Sequence, residues 1–309
     1  MGKTDCRSVC LLAPAKVNLF LEIQGKRPDG YHELETFMVA VDLFDRLIFE
    51  FAEDGTIRLE CDEPGLTTGP DNLVWKAADQ LRQKTGTNQG ARIRLEKRVP
   101  MQSGLAGGSS DAAATLKGLN RLWRLGLSQA ELAAIGAEIG SDVPFFFAAG
   151  SAWCTGRGEQ VESWTLRRPV HLVLVCPGQG LSTAEVYSRV RVPAERIRSE
   201  RMRQALGTGD VEALGRCLHN RLQEPAESLL PVIREICERL RQAGTAGCLM
   251  TGSGSAVFAL CRDRHEAIRV ARSIRAEVAD SSTPIGESSR PPASAAGSRV
   301  QVHVVRSCP

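Results

Sequence analysis

Apolar and polar positions change period several times along the 309-residue chain, and each change marks an element. Residues 10–23 are strand-like with a break at Ala13-Pro14-Ala15-Lys16, which predicts a strand pair. Lys16 and Asn18 lie two apart within it and so share one face of an extended chain. Arg27-Pro28-Asp29-Gly30 signals a turn, because proline presets φ and Asp-Gly tolerates positive φ. Apolar runs with sparse charges over residues 36–59 predict two more strands. From Asp71 the spacing changes to helical, with Leu73, Val74, Ala77, Ala78 and Leu81 on one stripe and Gly86 placed to end it in a left-handed cap. Residues 91–98 alternate as a half-buried strand, and Leu116, Leu119 and Trp123 return to helical spacing. Ser128 and Glu131 form a capping-box pattern for a helix that stops at Gly140.

Residues 171–176 form an uninterrupted apolar strand ending at Pro177-Gly178. Helices follow around 211–221 and 229–243, then strands at 248–251 and 256–261 separated by Gly252-Ser253-Gly254-Ser255. The last helix covers 266–278, with Ile268, Ala271 and Ile274 on its inner side. Residues 281–298, rich in Ser, Pro, Gly and Ala, read as a flexible insert before a closing strand at 300–305. The pattern predicts an α+β chain of two domains, 1–160 and 161–309, divided after the turn Gly156-Arg157-Gly158-Glu159.

Composition narrows the class. Apolar residues make up 42% and charged residues 24%, ordinary globular usage, and a net charge of +3 is too weak to argue for nucleic acid. Ten scattered cysteines read as reduced, mostly buried thiols, and Cys6 and Cys10 lack the second Cys or His pair that zinc would need. Pro14, Lys16 and Asn18 interrupt any signal-like core, and no apolar run approaches the ~20 residues of a membrane helix. The expectation is a cytoplasmic protein, monomeric or weakly homodimeric, without nucleic-acid or membrane partners.

Two stretches carry chemistry. In Pro100-Met101-Gln102-Ser103-Gly104-Leu105-Ala106-Gly107-Gly108-Ser109-Ser110 the glycines fall between a strand and a helix, with two hydroxyls at the junction. Glycines let backbone N–H groups approach an anion, and a helix start adds unpaired donors and partial positive charge. Neither a Gly-Lys-Ser/Thr loop nor Gly-x-Gly-x-x-Gly is present, so this is a different phosphate loop or a serine-capped glycine turn. In Ser141-Asp142-Val143-Pro144-Phe145-Phe146-Phe147, Asp142 opens an apolar segment and either caps a turn or has a chemical role.

Three segments in order, Ala13-Pro14-Ala15-Lys16-Val17-Asn18, the Pro100 loop and Met250-Thr251-Gly252-Ser253-Gly254-Ser255, resemble the three signature motifs of the GHMP kinases. Arg27-Pro28-Asp29-Gly30-Tyr31-His32-Glu33-Leu34, Asp71-Asn72-Leu73 and Ser141-Asp142-Val143-Pro144 look most like the branch acting on a cytidine-diphosphate-linked methylerythritol. The resemblance implies an N-terminal domain of the ribosomal protein S5 domain 2-like type with a left-handed βαβ element, and a C-terminal ferredoxin-like layer sandwich. It implies ATP, with Mg²⁺, phosphorylating the 2-hydroxyl of that small-molecule substrate. Asp142 would be the base and Lys16 its cationic neighbour, a structural salt bridge between them being the plainer alternative.

By the same resemblance Pro100, Gly104, Leu105, Ala106, Gly107, Gly108, Ser109 and Ser110 would wrap the ATP phosphates, with the Ser110 hydroxyl toward Mg²⁺ or the β-phosphate. Asn72 would lie near adenine, or else simply cap its helix. Tyr31, His32 and Tyr187 would hold cytosine, with half-buried packing as the alternative for the tyrosines. Asn18 and Thr183 would contact the polyol or diphosphate, and the backbone of Gly252, Ser253 and Gly254 would approach the substrate. Gln102, Ser103 and Ala106 stand where the family's loop is expected to have glycine, which puts ATP affinity in question. Two rival readings remain: a GHMP kinase of mevalonate, homoserine or a sugar, and a non-catalytic ligand-binding protein on the same fold.

Overall fold

The computed structural model describes residues 8–192, 194–280 and 299–309. The insert at 281–298 lies outside them. In chain order the elements are β1 (Ser8–Lys26), β2 (His32–Ala52), β3 (Ile57–Cys61), α1 (Leu73–Thr85), β4 (Gly90–Glu96), α2 (Gly107–Leu122), α3 (Gln129–Ile139), a 3₁₀ turn (Pro144–Phe147), β5 (Ser151–Thr155), β6 (Gln160–Ser163) and β7 (His171–Cys176). Then come α4 (Thr183–Ser188), α5 (Glu200–Thr208), α6 (Val211–Cys217), β8 (His219–Asn220), α7 (Gln223–Leu229), α8 (Val232–Gln242), β9 (Gly247–Met250), β10 (Val257–Cys261), α9 (Arg264–Asp280) and β11 (Gln301–Arg306).

One sheet runs β3-β4-β2-β1-β8, with β5 and β6 added along the other half of the long β2; the second runs β11-β7-β10-β9. β3 and β4 are parallel and joined through α1. The alternation along single strands shows how the layers stack. Phe37, Val39 and Val41 of β2 meet Leu172 and Leu174 of β7 and Phe258 and Leu260 of β10 in a core between the sheets. Met38 and Ala40 point the other way, into the core beneath α1, α2 and α3. On the far side Val173, Val175, Val257 and Ala259 pack against α8 and α9. Four layers result, and strands buried on both faces explain the near-continuous apolar runs in the sequence.

Three sequence expectations need correction. Residues 10–23 form one strand within β1, with register shifts at Pro14/Ala15 and beyond, because a bulge accommodates a proline that cannot donate to the ladder. The helix expected from Asp71 begins at Leu73, with Asn72 as its cap; Gly86 ends it at φ 68° as expected. The helix expected at 211–221 stops at Cys217, and His219–Asn220 pairs in parallel with Phe20 and Leu21 of β1. Arg221 anchors that short contact by donating twice to the buried Glu22, at 2.7 and 2.6 Å. Burial would raise the Glu22 carboxyl, but hydrogen bonds from Arg221 and two backbone N–H groups, with His219 Nε2 3.2 Å away, hold it well below the ordinary range.

On α9 the inner line is Ala267, Val270, Ala271 and Ile274, with Ile268 only half-buried. The capping box of α3, its end at Gly140 and the closing strand β11 stand as read. The nine described cysteines are unpaired, four of them buried, and among the described residues no helix is long and apolar enough to cross a membrane.

Candidate active site

Lys16 lies opposite Ala40 on the face of β1 turned away from the inter-sheet core, and is 3% exposed. Its ammonium donates to Asn18 Oδ1 at 2.6 Å and to the Gly104 carbonyl at 2.7 Å. Its backbone N–H donates to the Leu105 carbonyl. Asn18 is held in turn by donating to Thr36 Oγ1 at 2.8 Å and by Thr251, whose hydroxyl donates to Asn18 Oδ1 and accepts from its backbone N–H. Burial lowers the Lys16 pKa, and the negative charge of Asp142 opposes that shift. The two do not form a salt bridge, so the plainer alternative from the sequence is not realised as a direct contact. The Asp142 side chain makes no hydrogen bond or ion pair with any described residue.

The Pro100 loop interlocks with the loop after β9. Gly104 sits at φ 75°, and a Cβ there would meet the Thr251 carbonyl oxygen at 2.1 Å, so only glycine allows this approach. Gly252 faces it at φ 55°, with room for a Cβ closed off by the Gly104 carbonyl at 2.8 Å and the Lys16 ammonium at 3.0 Å. Ala256 N–H donates to the Ser103 carbonyl, and Ser103 Oγ donates back to the Pro100 carbonyl. Asn220 supports the arrangement with hydrogen bonds to the Met250 and Gly252 carbonyls.

Ala106 is the N-cap of α2, and its carbonyl accepts from the Ser110 N–H. With no capping side chain, the N–H groups of Gly107, Gly108 and Ser109 are left for a ligand. The Ser110 hydroxyl is buried without a partner. Of the three non-glycine departures, Gln102 and Ala106 do adopt left-handed conformations, at φ 50° and 54°. Ala106→Gly is therefore expected to raise stability by about 0.5–1 kcal/mol, as relief of left-handed strain outweighs the added freedom of the unfolded chain. A urea midpoint lower than that of the parent would contradict this strain.

Lys97, Asp45 and Asp111 were missed from the sequence. Under the start of α2 the Lys97 ammonium bridges Asp45 and Asp111, the latter at 2.8 Å, and would lie 3.3 Å from a Cβ at Gly107. Burial raises the Asp111 pKa to about 7, with Lys97 opposing and Asp45 adding to the shift. The available signal was Asp111 itself, a carboxylate leading into Ala112-Ala113-Ala114 on a buried helix face.

The rings pair differently from a simple tyrosine clamp. His32, first in β2, lies against Tyr187 of α4 with centroids 5.3 Å apart and planes at 38°. Tyr31 is 53% exposed, with the Arg157 guanidinium 4.8 Å from its ring centre. Burial and the Asp142 charge both push the Tyr187 hydroxyl pKa up. Thr183 Oγ1 and Ser253 Oγ are 2.9 Å apart, joining the start of α4 to the Gly252 loop. Asn72 stands apart: its amide caps α1 through Val74 N–H and donates to the Thr67 carbonyl, leaving one hydrogen and one lone-pair direction for a base edge.

Residues 72–150 match the family model of the GHMP kinases N terminal domain, and residues 202–280 match that of the GHMP kinases C terminal. The 4-diphosphocytidyl-2-C-methyl-D-erythritol kinase of Brevibacillus brevis is 43% identical, over 88% of this chain and 94% of its own length. That of Pelotomaculum thermopropionicum is 42% identical, over 86% and 94%. A crystal structure of 4-(cytidine 5'-diphospho)-2C-methyl-D-erythritol kinase superposes with a TM-score of 0.75 at 34% identity, covering 96% of this chain and 99% of that one. A homoserine kinase from Cytophaga hutchinsonii has a TM-score of 0.74 at 17% identity, covering 99% and 96%, and shares the fold. The chain belongs to the GHMP kinases, in the family of the 4-diphosphocytidyl-2-C-methyl-D-erythritol kinases.

Proposed function

We propose that the chain transfers a phosphoryl group from ATP to the 2-hydroxyl of 4-diphosphocytidyl-2-C-methyl-D-erythritol, in the non-mevalonate route to isoprenoids and in the cytoplasm. One observation carries the reading of the site: the charge of Asp142 acts on both Lys16 and Tyr187, so the carboxylate is within electrostatic reach of the cation at the phosphate loop and of the aromatic pair.

Phosphoryl transfer asks for positioning and charge neutralisation, with a group to accept the proton of the attacking hydroxyl. Asp142 has free lone pairs and takes that role. An ammonium has three donors, and Lys16 uses two on Asn18 and Gly104. The third is left for the substrate oxygen or the transferring group, where positive charge favours alkoxide character. Asn18, its amide engaged with Lys16, Thr36 and Thr251, acts chiefly by aiming the ammonium.

The free N–H groups of Gly107, Gly108 and Ser109 fit an anion, and the unpartnered Ser110 hydroxyl fits a phosphate oxygen or a Mg²⁺ brought with ATP. ATP supplies the phosphoryl group, and Mg²⁺ neutralises its charge. Pro100 and Leu105 shape the loop, and Ala106 sets the entry of α2. His32 and Tyr187 receive cytosine by stacking, with Tyr31 beside them. Burial and the nearby Lys26 lower the His32 pKa, which favours a neutral imidazole able to accept from the exocyclic amine of the base. Thr183, Ser253 and the backbone of Gly252 and Gly254 line the approach to the polyol.

ATP consumption with this substrate, mevalonate, homoserine and galactose tests the reading. Turnover is expected with the cytidine compound alone; turnover with mevalonate alone would overturn it.

A further inference from the structure

Two thiols that the mechanism does not use meet on the α8 face of the second sheet. Cys237 points inward from the middle of α8, and Cys248 is the second residue of β9, the edge strand of that sheet. Cys237 is fully buried and Cys248 half-buried, in the core that also holds Met250 and Val257. As a thiol, Cys248 donates to the Cys237 carbonyl at 3.3 Å. As a thiolate it accepts from the Cys237 S–H, which lowers its pKa against burial, with Arg241 helping and Glu227 resisting. The same hydrogen bond and burial push the Cys237 pKa up. The pair is therefore unequal: the more accessible sulfur is the better thiolate, and the buried one keeps its proton.

Gln223, first in α7, links this pair to the active site. Its amide donates to Cys237 Sγ at 3.8 Å and to Glu227 Oε1 at 2.8 Å, while its Oε1 accepts from the Met250 N–H at 3.0 Å. Met250 precedes Thr251, which fixes Asn18, and Gly252, which meets Gly104. A change at Cys237 Sγ thus reaches, through Gln223 and the end of β9, the loop that helps to aim the Lys16 ammonium.

We propose that Cys248 and Cys237 form a thiol–disulfide switch, with Cys248 as the attacking sulfur, Cys237 as the resolving one and a hydroperoxide as the oxidant. The Cys248 thiolate attacks the terminal peroxide oxygen, the O–O bond breaks, and the departing oxyanion takes up a proton, leaving a sulfenic acid. The Cys237 sulfur then attacks Cys248 Sγ, the S–O bond breaks, and hydroxide leaves as water with the Cys237 proton. The two thiols together lose two electrons, and hydrogen peroxide is reduced to two waters; a dithiol reverses the change. Bonding brings the sulfurs to about 2 Å, which draws β9 toward α8, removes the Cys248 bond to the Cys237 carbonyl and takes from Gln223 its thiol acceptor.

Non-reducing peptide mapping after hydrogen peroxide treatment of the parent, Cys248→Ser and Cys237→Ala tests this without any substrate. The parent should show a Cys237–Cys248 link that dithiothreitol removes. Cys237→Ala should instead stop at a sulfenic acid on Cys248 that reacts with dimedone, and Cys248→Ser should show neither product. Turnover with ATP and the cytidine substrate should fall about 2–10-fold in the oxidised parent, return with dithiothreitol, and survive peroxide in Cys248→Ser. Absence of the link in the parent, or a sulfenic acid on Cys237 in Cys248→Ser, would overturn the proposal. So would a link that leaves turnover unaltered. A parent that forms the link but never turns over the cytidine compound would overturn the substrate reading instead, and would leave the pair established as a modification site.

Discussion

Asp142→Asn is expected to lower turnover by at least ~10²-fold, the usual scale for a lost general base, while ATP and substrate still bind. The amide keeps the shape of the carboxylate but cannot take the proton of the attacking hydroxyl. Because the side chain has no hydrogen-bond partner among the described residues, the exchange leaves no protein group unsatisfied and the fold should be unaffected. A second consequence separates chemistry from packing. Burial pulls the Lys16 pKa down and the Asp142 charge holds it up, so removing that charge lets it fall further. Lys16 acts as the ammonium, so the alkaline limb of the residual rate should move to lower pH. Stopped assays across pH give both readouts; near-parental turnover would remove Asp142 from the base role.

Gly104→Ala is expected to be severely damaging for a single added methyl. A Cβ 2.1 Å from the Thr251 carbonyl and 3.0 Å from Gly254 N meets backbone on both counts, at φ 75°. The two loops must separate, which loosens the Lys16–Gly104 and Ala256–Ser103 hydrogen bonds. Left-handed strain and overpacking together should cost about 2–5 kcal/mol in urea unfolding. Turnover should fall at least ~10-fold through misplacement of the ammonium. Gly126→Ala is the control: its φ is 73° but nothing lies within 4 Å, so it bears the backbone strain alone. Equal effects at the two positions would show that the loop contact is unimportant.

Both variants bear on what the sequence could disclose. The Pro100 loop, the capping box of α3 and the Gly86 cap are written locally, in a few adjacent residues whose conformational demands are known. Lys16 and Asn18 were recognisable as a pair because a strand places alternate residues on one face. Their grip on Gly104 and Thr251 was not, since it spans 88 and 233 residues of chain. Distance in sequence hid β8 as well, two residues whose pairing with β1 depends on the Arg221–Glu22 contact.

Other features were hidden by resemblance to something plainer. Lys97 ends a strand of alternating charges and looks solvated, yet it is buried between Asp45 and Asp111. The two tyrosines suggested a clamp, whereas folding sets His32 against Tyr187 and Arg157 against Tyr31. The short helices α4 and α5 show too few turns for a periodic pattern to stand out. At Gln102 and Ala106 the absence of glycine suggested lost left-handed freedom, and tertiary contacts impose that conformation regardless.

The account turns on where the phosphoryl group goes. ³¹P NMR of the protein with ATP, Mg²⁺ and 4-diphosphocytidyl-2-C-methyl-D-erythritol follows this directly. One new phosphomonoester should appear for each ADP, with the cytidine diphosphate linkage intact. ADP formed without the ester, or cleavage of the linkage, would contradict it.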